Sequence, residues 1–268
     1  MKRLLLLSVV TLSACAAPRA HFATGATTPV PGHSHNDYLR RRPLMEAIDA
    51  GLCSVEADVF LIDGELRVGH ETWMLRQGRT LESMYLDPLL ARVRAEGHVV
   101  AEGDEFTLLI DVKSDGAVLW PHLREVLERY REMLTVFHAD AIEPRAVTVI
   151  LSGNRPRAQL EREPDRLCAI DGRPVDLDRD PAVALVPLVS DDWTKHFGWN
   201  GFDDIPDEDA RALTELCARA HAQGRRIRFW AAPDTPACWR AQRKAGVDLV
   251  NTDRPGDLRR ELRRASVR

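Results

Sequence analysis

The sequence predicts a single (β/α)8 barrel on three observations. First, eight short apolar runs alternate with helical patterns, the signature of parallel strands joined by crossover helices. The runs are Val30 to His35, Cys53 to Leu61, Phe106 to Val112, Val147 to Ser152, Leu167 to Ile170, Ala184 to Ser190, Arg226 to Trp230 and Asp248 to Asn251. Second, residues 30–268 form one stretch without a change of composition or a low-complexity insert, and about 250 residues is a usual length for such a barrel. Third, three of the early strands end in polar side chains, as barrel strands do where they open onto a mouth. An open doubly wound sheet also fits the alternation, but no Gly-rich dinucleotide loop follows any strand.

Taken in order, Met1-Lys2-Arg3 precede an apolar run from Leu4 to Leu12 and then Ser13-Ala14-Cys15. A basic start, a short apolar stretch and a small-residue site read as a secretory signal too short to span a bilayer. The Leu12-Ser13-Ala14-Cys15 box resembles the bacterial lipoprotein signal. That likeness implies a signal peptide over residues 1–14, lipidation of Cys15, and a tether rich in Ala, Thr and Pro over residues 15–29. The protein is then expected to be exported and anchored by its lipid to the bacterial envelope membrane, on the periplasmic face. A plain signal peptide with a chance cysteine is the other reading.

Pro43 to Ala50 makes a short helix closed by Gly51, and Asp63-Gly64 makes a hairpin turn that leads the chain to His70. Val118, Leu119, Leu123, Val126, Leu127, Tyr130 and Leu134 make one apolar stripe at helical spacing. Asp207-Glu208-Asp209 opens a further helix with acids in its first turn, lined by Leu213, Leu216, Cys217 and Ala220 and ended by Gly224.

Composition is ordinary, 44% hydrophobic and 29% charged with net charge −4. That leaves no basic field for nucleic acid, and a monomer is expected. The Arg-rich tail reads as a solvated helix face, with a membrane headgroup contact as its alternative. Besides Cys15 there are Cys53, Cys168, Cys217 and Cys238. Cys217 and Cys238, on successive helices, are the favoured pair if an exported chain oxidises them; buried free thiols are the alternative.

The chemistry concentrates between His33 and His70. In Val55-Glu56-Ala57-Asp58-Val59 the two carboxylates share one face, because strand side chains alternate. Two carboxylates aimed into one space repel unless a cation sits between them. Oxygen ligands alone suit a hard divalent ion, Mg2+ or Ca2+. Phe106 to Lys113 ends with Asp111 and Lys113, again on one face. His35 before the pair and His70 after it can flank such an ion as acid and base. Alone, a Glu-x-Asp at a strand end is more often a cap or a salt bridge; the third strand raises the metal reading above that.

With these residues in place, the chain resembles the PLC-like phosphodiesterase superfamily of TIM barrels, which includes glycerophosphodiester phosphodiesterases and sphingomyelinase D-type phospholipases. Within it, His33-Ser34-His35-Asn36-Asp37-Tyr38, Ser54 to Val59, Arg79-Thr80-Leu81, Tyr85 to Leu89, Trp199-Asn200-Gly201 and Arg228-Phe229-Trp230 are similar to the "altered inheritance of mitochondria protein six" group. The resemblance implies a metal-dependent phosphodiester hydrolase or cyclising lyase acting on a glycerophosphodiester or a phospholipid headgroup. It implies His35 and His70 as the catalytic pair, His33 as a structural partner, and Glu56, Asp58 and Asp111 as ligands of one divalent cation. It implies Lys113 as a phosphate contact. Trp230 and Asn36 complete the expected substrate contacts: Trp230 walls the pocket, with plain packing as its alternative, and Asn36 also reads as orienting His35 or the metal's water, with a plain turn as its alternative. Glycerophosphodiesterases carry His-Arg-Gly at the first site; here Asn36-Asp37 follow His35. The other reading, from a different class, is a catalytically weak surface lipoprotein that binds a phosphorylated ligand or an envelope partner.

Overall fold

The computed structural model describes residues 29–265. The strands are β1 (Val30–Ser34), β2 (Leu52–Ile62), β3 (Glu65–Val68), β4 (Phe106–Val112), β5 (Val136–Phe137), β6 (Ile142–Glu143), β7 (Val147–Gly153), β8 (Ala169–Gly172), β9 (Leu188–Asp192), β10 (Arg226–Trp230) and β11 (Leu249–Thr252). Eight of them pair in parallel in the order β1-β2-β4-β7-β8-β9-β10-β11, and β11 returns to β1, so the barrel closes. β3 is an antiparallel flap on β2, and β5 with β6 forms a separate small hairpin. The helices are α1 (Met45–Asp49), α2 (Asp87–Glu96), α3 (Gly116–Glu128), α4 (Arg157–Leu160), α5 (Pro174–Arg179), α6 (Asp207–Ala222), α7 (Pro236–Ala245) and α8 (Pro255–Ala265).

Alternation along each strand divides the interior in two. Outward residues such as Val55, Ala57, Leu108, Ile110, Val149 and Leu151 join the main core beneath the helices. Inward residues Leu109, Ile150, Ala169, Leu188 and Leu249, with Phe137, form a separate apolar cluster inside the barrel. One step further up the same strands the inward positions turn polar: Asp111, Ser152, Asp171, Ser190 and Asn251, each two residues beyond its apolar neighbour. The barrel therefore has an apolar floor and a polar mouth at the C-terminal ends of its strands, where such folds carry their chemistry.

Three local expectations are corrected. The sixth strand begins at Leu188, because Ala182 to Leu185 close a hydrogen-bonded turn and Pro187 has no N–H to give a neighbouring strand. The fifth begins at Ala169 and reaches Gly172, further than expected. Val118 leaves the apolar stripe. Asp115 caps α3 through Ala117 N and Val118 N, and this turns Leu119, Trp120 and Leu123 inward while Val118 stays 61% exposed. The expected hairpin forms, with Asp63 at φ 53 and Gly64 at φ 80, the left-handed pair that a tight turn of this hand requires. Cys53, Cys168, Cys217 and Cys238 are all free thiols, so the favoured Cys217–Cys238 bridge is not formed. The signal peptide, Cys15 and most of the tether fall on residues 1–28, outside the described residues.

Candidate active site

β2 and β4 pair with Asp58 directly beside Asp111, so two carboxylates stand at one level on adjacent strands. Glu56 sits one inward step below Asp58. One oxygen from each of Glu56, Asp58 and Asp111 lies within 4.8 Å of the others. Lys113, two residues beyond Asp111, reaches back: its Nζ is 2.8 Å from Asp111 Oδ2 and 3.0 Å from Asp58 Oδ2. The second oxygen of each aspartate, Oδ1, is buried with no hydrogen-bond partner. An orphaned carboxylate oxygen is costly, and two of them side by side suit a hard cation. Gly153 makes the space: a Cβ there would fall 1.9 Å from Asp111 Oδ1, and its φ of +64° is itself a glycine conformation. The donor set and the cleared volume both fit a divalent ion.

The two strand-mate carboxylates differ electrically. Burial raises Glu56, but the Arg228 charge, 2.8 Å away, and the His33 hydrogen bond at 3.0 Å hold it well below the usual carboxylate range. Asp58 is pushed up to about 6 by burial and by the Glu56 charge, against the pull of Lys113. Tyr38 Oη, 2.8 Å from Asp58 Oδ2, ties β2 to the loop after β1.

His33 is fully buried between Ser54 Oγ (2.7 Å) and Glu56 Oε2 (3.0 Å). Burial and the Arg228 charge push it down to about 4, so it is a neutral imidazole. His35, two residues on, lies open to the mouth. Its Nδ1 is 3.1 Å from Asp253 Oδ1 and its Nε2 is 3.9 Å from Glu56 Oε1. Burial lowers its pKa, but the Asp253 hydrogen bond and the Glu56 charge leave it raised. His70, delivered by the β2–β3 flap, holds Asp58 Oδ2 through Nδ1 at 2.9 Å. Each of these two histidines thus has Nδ1 against an aspartate.

A cavity of about 340 Å³ opens over this cluster, lined by His35, Glu56, His70, Asp111, Lys113 and Trp230 among others. Asn36 does not line it. In a left-handed conformation (φ 49), its amide instead stands 3.0 Å from His35 Nδ1 and accepts from Tyr38 Oη at 2.6 Å. Ser152, Gly153, Arg173 and Arg228 also line the cavity, and the sequence reading assigned none of them a role. Arg228 had a usable signal: it lies two residues before Trp230 on one strand, hence on the same face. Arg173 had none, because the fifth strand was expected to end at Ile170.

Residues 22–167 match the AIM6-like phosphodiesterase domain, and residues 226–256 match the glycerophosphoryl diester phosphodiesterase family. The chain is 31% identical to altered inheritance of mitochondria protein 6 homolog of Arthroderma benhamiae, over 86% of this chain and 83% of that protein. It is 27% identical to altered inheritance of mitochondria protein 6 of Eremothecium gossypii, over 82% of this chain and 66% of that protein. A glycerophosphodiester phosphodiesterase of Agrobacterium tumefaciens superposes with TM-score 0.49 at 14% identity, over 86% of this chain and 98% of that one. The curated relatives are fungal proteins. That finding overturns the expected bacterial envelope lipoprotein and its periplasmic address, which rested on the Cys15 box alone. The matched domain is of phosphodiesterase type.

Proposed function

Because the chain belongs to the AIM6-like phosphodiesterase family, we propose that it cleaves a small-molecule phosphodiester, a glycerophosphodiester or phospholipid headgroup, with His35 and His70 as the proton-transfer pair. The observation that carries this reading is the pair of orphaned oxygens, Asp58 Oδ1 and Asp111 Oδ1, beside a cavity that Asp111 and both histidines line. Glu56, Asp58 and Asp111 would hold one divalent cation, Mg2+ or Ca2+. Bound there, it supplies charge that offsets the phosphoryl oxygens as the transition state forms.

The chain's own residues do the rest. One histidine takes the proton from the attacking oxygen, a substrate hydroxyl or water, as the new P–O bond forms. The other gives a proton to the leaving oxygen as the old P–O bond breaks. Asp58 and Asp253 fix the two rings through Nδ1 and leave Nε2 as the working nitrogen of each. Lys113 places a compact positive charge beside the phosphate, and Arg228 keeps Glu56 ionised beneath it. Trp230, with Lys195 5.7 Å from its ring centre, walls the side toward β9 and β10. The presence of both histidines, Glu56, Asp111 and Lys113 in one cavity, with Asp58 beside them, supports an enzyme over a binding protein with a decayed site.

The test is turnover of an aryl phosphodiester, with and without Mg2+, Ca2+ or Mn2+, by the wild type and by His35→Ala and His70→Ala. Metal-dependent turnover that falls by about 10²–10⁴-fold in each variant is expected. Undiminished turnover in either variant removes that histidine from the mechanism. No turnover by folded wild-type protein with any metal removes the enzyme.

A further inference from the structure

The wall of the cavity away from the histidines carries a second cationic position that the reaction above does not use. β8 is the fifth barrel strand and β1 the first, so β8 stands across the mouth from His35. Arg173 lies just past the end of β8 and lines the cavity. It is held from behind. Asp171, fully buried on the same strand, accepts from Ser152 Oγ at 2.7 Å, Ser190 Oγ at 2.6 Å and Arg173 Nη1 at 2.9 Å, all on one oxygen. The Gly172 carbonyl takes Nη1 as well, at 2.7 Å. All of these bonds use one nitrogen of the guanidinium. Its Nη2 and Nε have no partner among the described residues, which leaves two donor nitrogens of the fork uncommitted.

Arg155 strengthens the position. It follows Gly153 on the adjacent loop and donates one bond, from Nη1 to Gly153 O at 3.1 Å. Its Nε is buried without a partner, and no carboxylate pairs with it among the described residues. Burial lowers its pKa, and the Arg173 charge lowers it further. Asp171 is the ion-pair partner of Arg173, Arg155 has none among the described residues, and Arg173 brings its unspent donors to the cavity. A guanidinium fork of this kind matches the paired oxygens of a phosphate or carboxylate.

We propose that Arg173, flanked by Arg155, binds a second anionic group of the substrate, a phosphomonoester or carboxylate carried on the moiety that lies toward β7 and β8. The site then selects phosphodiesters with an additional negative charge over neutral-headed ones. This rests on the phosphodiesterase reading and narrows its substrate class. Asp171 is a positioning residue: it holds one edge of the fork and leaves the other toward the cavity.

Two measurements test it. The first compares kcat/KM, with Mg2+, for three aryl phosphodiesters of glycerol-like alcohols whose far end is a hydroxyl, a carboxylate or a phosphate. The wild type is expected to favour one of the anionic diesters at least tenfold. Arg173→Gln and Arg155→Gln are each expected to bring that ratio toward one by losing more on the anionic substrate than on the neutral one. The second measures binding of propane-1,3-diol bisphosphate against propyl phosphate by calorimetry. The bisphosphate is expected to bind at least tenfold tighter, an advantage lost in Arg173→Gln. Arg155, which holds no carboxylate, provides a variant that does not strip a buried acid of its partner should Arg173→Gln fail to fold. Turnover without preference, equal losses on all three diesters, or a bisphosphate bound no better than the monophosphate overturns the inference. Absent turnover with the bisphosphate advantage intact would overturn the phosphodiesterase reading and leave the anion site standing.

Discussion

Glu56 and Asp58 sit two residues apart on the same inward face of β2, both buried, yet their surroundings drive them in opposite directions. Glu56 receives a guanidinium from β10 and a neutral imidazole from β1, and stays ionised. Asp58 has Asp111 of β4 as its direct neighbour and is pushed up to about 6 by burial and the Glu56 charge, with Asp111 adding to them, despite Lys113. Strand position fixed where both point. Whether a cation reaches each of them from a neighbouring strand, against burial and their mutual repulsion, set their charge. One carboxylate is neutralised by the protein, and the other belongs to a pair still short of a cation.

That difference predicts separable defects. Asp58→Asn removes a ligand from the cation-poor pair and is expected to lower metal-dependent kcat/KM by about 10³-fold. Its stability should change by less than about 1 kcal/mol, since relieved repulsion offsets lost hydrogen bonds. Glu56→Ala is expected to lose turnover too, but also about 3–5 kcal/mol of stability, because Arg228 is left buried without its acid. Denaturant midpoints read beside activity make the comparison. Equal stability losses in the two variants would erase the contrast.

A divalent cation sharpens the same contrast with a somewhat smaller effect. At about 100 times its Kd it should stabilise the wild type by about 2.7 kcal/mol. Asp58→Asn and Asp111→Asn should abolish most of that gain, and Arg173→Gln, across the mouth, should retain it. A thermal melt with and without Mg2+ checks this, and an unchanged wild-type melt with every divalent ion would count against the three-carboxylate site.

The barrel and half of the site were legible because they follow local rules. Period-two alternation puts Glu56 with Asp58 and Asp111 with Lys113, and strand ends put all four at the mouth. Arg228 reaches Glu56 across 172 residues of chain, and no periodicity reports a contact of that span. Arg173 was hidden by a fifth strand that runs two residues further than its apolar pattern. Asn36 was expected either to contact substrate or to orient His35, and its left-handed turn sends the amide back to His35 and Tyr38, away from the cavity lining. The envelope address failed for another reason: a short N-terminal pattern is independent of the fold, so nothing in the barrel could support or correct it, and the fungal relatives did.

The smallest effect is a matter of pH, and it tests the electrostatic contrast without any substrate. With divalent ions chelated, Asp58 binds a proton more tightly folded than unfolded, since its folded value of about 6 exceeds the ordinary 3.8. Its protonation therefore adds stability that is fully present below pH 3.8 and is lost as pH rises through about 6. Glu56 has the opposite sign. Held below its ordinary value of 4.5, it contributes stability that is present above that pH and is lost only as pH falls through its folded value. Between pH 4.5 and 7 the Glu56 contribution is flat and the Asp58 contribution declines. The stability of the wild type relative to Asp58→Asn should accordingly fall across that window, by on the order of 2 kcal/mol. Saturating Mg2+ should reverse the slope, because the cation favours the ionised carboxylate. A chelated wild type that tracks Asp58→Asn at every pH would mean that Lys113 already balances the pair, and that Asp58 and Glu56 are electrically alike after all.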